Sequence, residues 1–200
     1  MASSKGNLTK IKITEAAKKL FVKKGYSATS IEDIRIRAGV SKGLAYYHFK
    51  NKEEIYLFCL KCETRTLVYQ WENHISQAKF TATEMLYSLV DYFIPADQNN
   101  LIRTIPEFIE STNNKEGERG MVKDLINQVI EPEIEIINHV ITEGVIKGEF
   151  KRNLATTELA TILYSCLTSF NFVLFLGYSE DIVKNLYKQF VETILQGLSN

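Results

Sequence analysis

The sequence predicts an all-α protein: a small N-terminal three-helix domain joined by a long helix to a C-terminal helical bundle. Three observations lead there. Apolar residues recur at three- and four-residue spacing along nearly the whole chain, the period of an amphipathic helix. Serine, threonine or asparagine stands ahead of successive apolar runs, and glycine or proline stands after them, which marks helix starts and stops. No apolar/polar alternation is long enough to make a strand. With 200 residues at 45% hydrophobic, the chain can bury a core in one large domain or two small ones.

The elements follow in order. Ile13, Ala16, Ala17, Leu20 and Phe21 share one face of a first helix, with lysines on the other. Lys23 and Lys24 sit in its last turn, and Gly25 stops it. Ser30 caps a short helix running to about Arg37, and Asp33, three residues on, suits a capping box. Gly39 breaks that helix. Ser41 caps a second short one over roughly 42–47, and Asn51 caps a long one whose first turn holds Glu53 and Glu54, as the helix dipole favours.

Beyond it the pattern predicts helices over 51–78, 81–94, 100–112, 118–147, 154–176 and 179–198. Pro95 should end one, Pro106 disturb the next, and Pro132 kink or restart the helix around it. NNKEGERG (113–120) reads as a polar loop. Glu131, Glu133 and Glu135 around Pro132 read as a solvated helix start.

The net charge of zero hides an asymmetry. Residues 1–60 hold 12 Lys/Arg against 5 Asp/Glu, and residues 61–200 hold 12 against 19. A basic head of +7 on an acidic body of −7 suggests an anionic partner for the head, nucleic acid or membrane. Three cysteines form no disulfide framework and suit a reducing compartment. The N-terminus lacks the apolar stretch of a signal peptide. The run Ile162–Leu176 is interrupted by hydroxyl residues and reads as too short to span a bilayer. A soluble, cytoplasmic protein is expected.

Two short helices separated by Ala38–Gly39–Val40 have the dimensions of a helix-turn-helix, whose second helix enters the DNA major groove by its N-terminal residues. Lys42 and Gly43 fall in that first turn. There Lys42 can reach phosphates or guanine edges, and Gly43 lets the backbone come close. Leu44 can face a thymine methyl or pack inside. Tyr46, Tyr47 and His48 can donate to phosphate oxygens; equally, Tyr46 and Tyr47 can be core rings and His48 can fill a gap. Lys52 opposes the helix dipole at its own helix start, which a bound phosphate would explain. The candidate DNA contacts are Thr29, Ser30, Ser41, Lys42, Gly43, Leu44, Tyr46, Tyr47, His48 and Lys52. Phe49 and Val40 are assigned to the core.

The pieces AAKKLFVKKGYSATSIEDI (16–34) and AGVSKGLAYYHFKNKEEI (38–55) resemble the DNA-binding domain of the TetR/AcrR family of bacterial transcriptional regulators over Ile13–Tyr56. EGVIKGEF (143–150) is similar, more weakly, to the turn before the dimerisation helices of many members. The resemblance implies a DNA-binding domain over 1–55, with its helix-turn-helix at about 30–49, and a ligand-binding and dimerisation domain over 56–200. It also implies a double-stranded, near-palindromic operator, a cytoplasmic protein associated with the nucleoid when bound, and no cofactor. Arg35 after Ile34, and the pair Leu44–Ala45, depart from the family pattern and bear on which operator is read.

The last two helices carry a wide apolar face that suits a homodimer: Leu159, Leu163, Leu167 and Leu174, then Ile182, Leu186 and Phe190. The body is rich in aromatic residues. Trp71, Tyr87, Phe93, Phe108, Tyr164, Phe170 and Phe172 are the candidates to line a pocket for a small hydrophobic effector, against the plainer reading that they are core.

CLKC (Cys59, Cys62) lies inside a predicted helix without a second pair, so it reads as apolar packing rather than a metal or redox site. No GxSxG, HExxH, P-loop or GxGxxG occurs, and no enzyme is expected. The competing classes are an all-α enzyme with an unrecognised pocket and a membrane-surface or protein-interaction bundle with a basic head. A membrane-binding head would need a continuous Trp/Phe/Leu face beside its lysines; the basic residues cluster instead around a glycine turn.

Overall fold

The computed structural model describes residues 2–94, 101–113, 119–153 and 155–198. Among them it places eleven α-helices, with no strand: α1 (Ala2–Lys24), α2 (Ile31–Ala38), α3 (Lys42–His48), α4 (Lys52–Ser76), α5 (Ala82–Ser88), α6 (Val90–Phe93), α7 (Ile105–Asn113), α8 (Arg119–Leu125), α9 (Glu131–Ile146), α10 (Thr156–Phe175) and α11 (Glu180–Leu198). The expected all-α class is what the structure has. The chain packs as two compact units: one comprises Met1–Thr64 and Asn99–Val129, the other Arg65–Gln98 and Ile130–Asn200. Long-range packing, which local sequence does not encode, brings Leu101, Phe108, Leu125 and Val129 into the core of the first. Pro95 and residues 114–118 of the expected loop lie outside the described residues.

In the first unit, α1 runs from Ala2 to Lys24 and is stopped at Gly25, which adopts φ +84°. The Ser27 amide donates to Glu107 Oε2 at 2.9 Å, and a Cβ on Gly25 would meet the same carboxylate at 2.8 Å. Glycine is therefore required there twice, by dihedral and by space. Phe21, Tyr26, Tyr56 and Phe108 stack edge and face within 4.8–5.7 Å of one another. The Tyr56 hydroxyl shares a 2.8 Å hydrogen bond with Thr104 Oγ1. Residues 101–108 thus complete the core of the N-terminal helices.

In the second unit, Leu86, Leu89, Phe93, Ile137, Val140, Ile141, Leu163 and Leu167 form the core with the buried Trp71 and Tyr187. The turn at 143–150 explains its own sequence. Gly144 is glycine because an added Cβ would strike the Phe150 ring at 2.2 Å. The Glu149 carboxylate accepts from the Ala82 and Thr83 amides at 3.0 and 3.2 Å, beside the Thr81 capping box of α5.

Three expected helices are subdivided. The 81–94 span turns at Leu89 into α5 and the short α6. The 100–112 span is a 3-10 turn, Leu101–Thr104, then α7, with Pro106 in the first turn where its missing N–H costs nothing. The 118–147 span is broken by a π-turn, Ile126–Ile130, just before Pro132. Pro132 cannot donate to the Gln128 carbonyl and its ring crowds it, which a wider turn accommodates.

Glu133 is also buried, not solvated as expected, and accepts from the Tyr164 hydroxyl at 3.1 Å. Burial and that carboxylate push the Tyr164 hydroxyl's pKa well up. Because α10 begins at Thr156, the 19-residue stretch Thr156–Leu174 is, by length and composition alone, long and apolar enough to cross a membrane. The apolar run Ile162–Leu176 read from the sequence is the later part of that helix with its C-cap, and the stretch reaches such a length only with residues 156–161 counted. The same helix buries Ala160, Leu163, Leu167 and Leu174 in its own unit, as the core helix of a bundle does.

Candidate nucleic-acid interface

Both short helices of the head are defined by their ends. Ser30 Oγ accepts from the Asp33 amide at 3.0 Å while the Asp33 carboxylate accepts from the Ser30 amide, a complete capping box. These bonds, with Lys24 nearby, hold the Asp33 carboxyl below its ordinary pKa. Gly39, at φ +66°, donates to Ile36 and the Val40 amide donates to Arg35, closing α2. Ser41 Oγ accepts from the Leu44 amide and opens α3. Asn51 Oδ1 accepts from the Glu54 amide at 2.8 Å and opens α4.

Between these caps α3 buries one residue only, Ala45. Phe49, just past its end, anchors it against Phe58, and Val40 is half-buried against the same core. The rest of α3 up to Tyr47 faces outward. Ser41, Lys42, Gly43, Leu44, Tyr46 and Tyr47 are exposed, and Tyr47 is 80% exposed. His48 is half-buried, its ring edge-on to Tyr47 at 5.1 Å. Of the two readings open for the tyrosines, neither ring is core. Leu44 points out.

Two expected contacts are not where a phosphate needs them. Thr29 is buried, and its hydroxyl donates to the Gly25 carbonyl at 2.8 Å. The Lys52 ammonium lies over the Tyr26 ring at 4.2 Å and donates to the Tyr26 carbonyl at 3.0 Å. A lysine opposing its helix dipole is thereby explained without DNA: it pins the turn that orients α2. Ser30 is exposed, but its hydroxyl serves Asp33.

Arg35, the departure from the family pattern, forks onto Glu32 of its own helix. A second basic surface lies between α1 and α2, a cleft of about 310 Å³ lined by Lys12, Lys19 and Arg37 around Glu15. The residue that sequence reasoning missed is Glu107. No local signal could find it, since its partner Ser27 is 80 positions away.

The geometry is that of a helix-turn-helix presenting its second helix. The model of the tetR family of bacterial regulatory proteins matches residues 13–58, and the model of the QacR-like C-terminal region matches residues 63–200. The chain belongs to the TetR family.

It is similar to the transcriptional regulator QacR of Staphylococcus aureus, 26% identical over 197 residues, which cover 95% of this chain and 98% of that one. It is 29% identical over 147 residues to a fatty acid metabolism regulator protein of Bacillus subtilis, 72% of each chain. Among solved structures it shares the fold of the Bacillus subtilis regulator FadR in complex with stearoyl-CoA. There the TM-score is 0.73 at 21% identity, covering 90% of this chain and 96% of that one. As a TetR-family member the chain is a transcriptional regulator, not an enzyme. Cys59 is consistent with that: it is buried, its pKa raised by burial, and its thiol donates to the Thr14 carbonyl.

The aromatic residues expected to line one pocket are divided between the two units. Trp71 and Phe93 are buried in the second unit's core, and Tyr87, Tyr164 and Phe170 pack half-buried against it. Phe108 is core in the first unit, and Phe172 is 64% exposed. Phe108 thus packs with the head, and Phe172 faces solvent. The expected dimer face is redistributed as well. Leu163, Leu167 and Leu174 are buried in their own unit, while Leu159 and Phe190 are half-buried there. Ile182 and Leu186 are exposed, and so are Ile162, Phe172 and Leu176, which complete the outward apolar face. A helix apolar nearly all round has no period that says which side turns inward.

Proposed function

We propose that this TetR-family regulator is a homodimeric repressor that binds a near-palindromic duplex through α3 and leaves it when a small hydrophobic ligand occupies the second unit. The observation that carries the reading is that α3 is anchored chiefly by Ala45 and Phe49 and turns Lys42, Gly43, Leu44, Tyr46 and Tyr47 to solvent. A short helix rigidly capped at both ends, with its first turn bare, is how a recognition helix is offered to a major groove. Gly43 supports this: nothing lies within 4 Å of where its Cβ would be, and its φ is not positive. The fold does not require glycine there, whereas close approach of a backbone does. Lys42 reaches a base edge or phosphate, Tyr46 and Tyr47 donate to phosphates, and Leu44 meets a methyl group.

The dimer reading rests on α10 and α11. The hydroxyls of Thr161, Ser165 and Ser169 donate to carbonyls one turn back in α10, at 2.9, 2.8 and 2.7 Å. Being satisfied within the helix, they leave the face of Ile162, Phe172 and Leu176 effectively apolar, and a second copy of the same face suits it. Such a protein works in the cytoplasm, at the nucleoid when bound.

Regulation follows by linkage. A ligand that prefers the conformation with low DNA affinity lowers operator binding, and operator lowers ligand binding by the same factor, typically about 5–150-fold. The B. subtilis relatives are named for fatty acid metabolism and for a stearoyl-CoA complex, which supports testing acyl compounds first. The experiment is a thermal-shift screen of hydrophobic compounds on the full chain, with operator affinity measured for each hit. Hits that weaken operator binding support the switch. Hits that all leave it unchanged remove the switch and keep the binding site.

A further inference from the structure

In the second unit, four rings close on one another at the end of α4. Trp71 meets Tyr92 edge-on at 5.3 Å, and His74 stacks on Phe80 at 4.6 Å and tilts against Tyr92 at 5.5 Å. Trp71 and His74 are neighbours at 5.9 Å on successive turns. Trp71 is 2% exposed. Its indole Nε1 and His74 Nε2 are both buried without a hydrogen-bond partner among the described residues.

Buried polar groups are almost always satisfied, because an unmade bond costs the full desolvation of the group. An indole N–H can only donate. It therefore fits a group that accepts. A neighbouring imidazole can donate from Nε2 to the same acceptor when that nitrogen carries the proton. The rings around them, Phe80 and Tyr92, are aromatic.

We infer that Trp71 and His74 form the polar end of the effector site, gripping an acyl head, a carboxylate or a thioester carbonyl, while the apolar body of the compound lies against the aromatic and aliphatic core. This rests on the reading of the second unit as the ligand-binding unit and gives that ligand a chemical class. A quaternary ammonium head can rest on the ring faces by cation–π attraction but accepts no hydrogen bond and leaves both nitrogens unsatisfied, which makes it the contrasting compound for the test.

Trp71 is the only tryptophan in the chain, so its emission reports this one place. The test titrates the full-length protein with three compounds sharing a twelve-carbon tail: dodecanoate, dodecanoyl-CoA and dodecyltrimethylammonium. The first two separate a free carboxylate from a thioester. The inference expects a saturable change in Trp71 emission with at least one acyl compound, bound roughly ten-fold or more tightly than the ammonium.

Trp71→Phe keeps an aromatic ring and removes the indole N–H, and His74→Phe keeps a ring to stack on Phe80. Each should weaken acyl binding, read by calorimetry, roughly ten-fold while far-ultraviolet circular dichroism stays that of the parent. Equal affinity for all three heads, tighter binding of the ammonium, no acyl binding, or acyl affinity unchanged in Trp71→Phe would each overturn it. If acyl compounds bind through Trp71 but leave operator affinity unaltered, the subsite stands and the regulatory reading falls.

Discussion

Two faces, one in each unit, expose apolar side chains of different kinds. On α3 the exposed residues are Leu44, Tyr46 and Tyr47, with Lys42 and Lys50 beside them. On α10 and α11 they are Ile162, Phe172, Leu176, Ile182 and Leu186, set among hydroxyls already bonded to their own helix. Phenol hydroxyls and ammonium groups suit a surface of sugars and phosphates, to which they can donate. An aliphatic face with its hydroxyls satisfied offers nothing to a polyanion and fits another apolar face. Exposure alone would class the two together; the donors left over distinguish them.

The strongest way to break the comparison is to remove the scaffold beneath the first face. Phe21→Ala opens the Phe21–Tyr26–Tyr56–Phe108 cluster and should cost about 3–5 kcal/mol, abolishing duplex binding. Dimer mass by light scattering should be unchanged if the second face acts by itself. Next is the second face. Phe172→Glu places a charge in the proposed seam and should cost dimerisation about 2–4 kcal/mol. Scattering then reports the 22.9 kDa chain where the parent gives twice that mass. A parent that is monomeric at micromolar concentration contradicts the dimer outright.

Lys42→Ala should weaken operator binding by about 1–3 kcal/mol and relax preference at one base pair, with the melting temperature unmoved. Gly43→Ala separates fold from function by sign. With no atom near the added methyl, alanine in the helix should raise stability by roughly 0.5–1 kcal/mol while weakening operator binding.

The smallest effect is a pH dependence. Asp33 is held below its ordinary pKa chiefly by Ser30. A carboxylate whose pKa is lowered by folding adds stability above its unfolded pKa of about 3.9. That stability is lost as pH falls through the lower folded value. Melting measured from neutral pH downward should therefore drop less in Asp33→Asn than in the parent.

The head was legible because its signals are local. Ser30 with Asp33, Gly39, Ser41 and Asn51 each act within four residues, and the structure uses all of them as caps or breaks. Two residues there escape the sequence for different reasons: Lys52 turns to Tyr26, 26 positions back, whereas Thr29 bonds the Gly25 carbonyl only four residues away, a choice between backbone and solvent that no residue pattern marks. In the body, helix existence was legible and helix faces were not. The leucines of α10 read the same whether they face the core or solvent, and only packing against α9 and α11 sorts Leu163 from Ile162. Phe108 joined the head's core by a route that no spacing announces.

The most direct test of the central claim is duplex binding itself. A fluorescent duplex selected by the full-length protein from a random pool is titrated by anisotropy at several salt concentrations. The parent should bind with a steep fall in log affinity against log salt, two chains per duplex. A double variant, Lys42→Ala with Tyr47→Ala, should lose most of that affinity and flatten the slope by roughly one to two contacts, with melting temperature and dimer mass preserved. A pool that yields no selected sequence, or a double variant that binds the selected duplex as the parent does, would contradict the assignment of α3 as the DNA-reading surface.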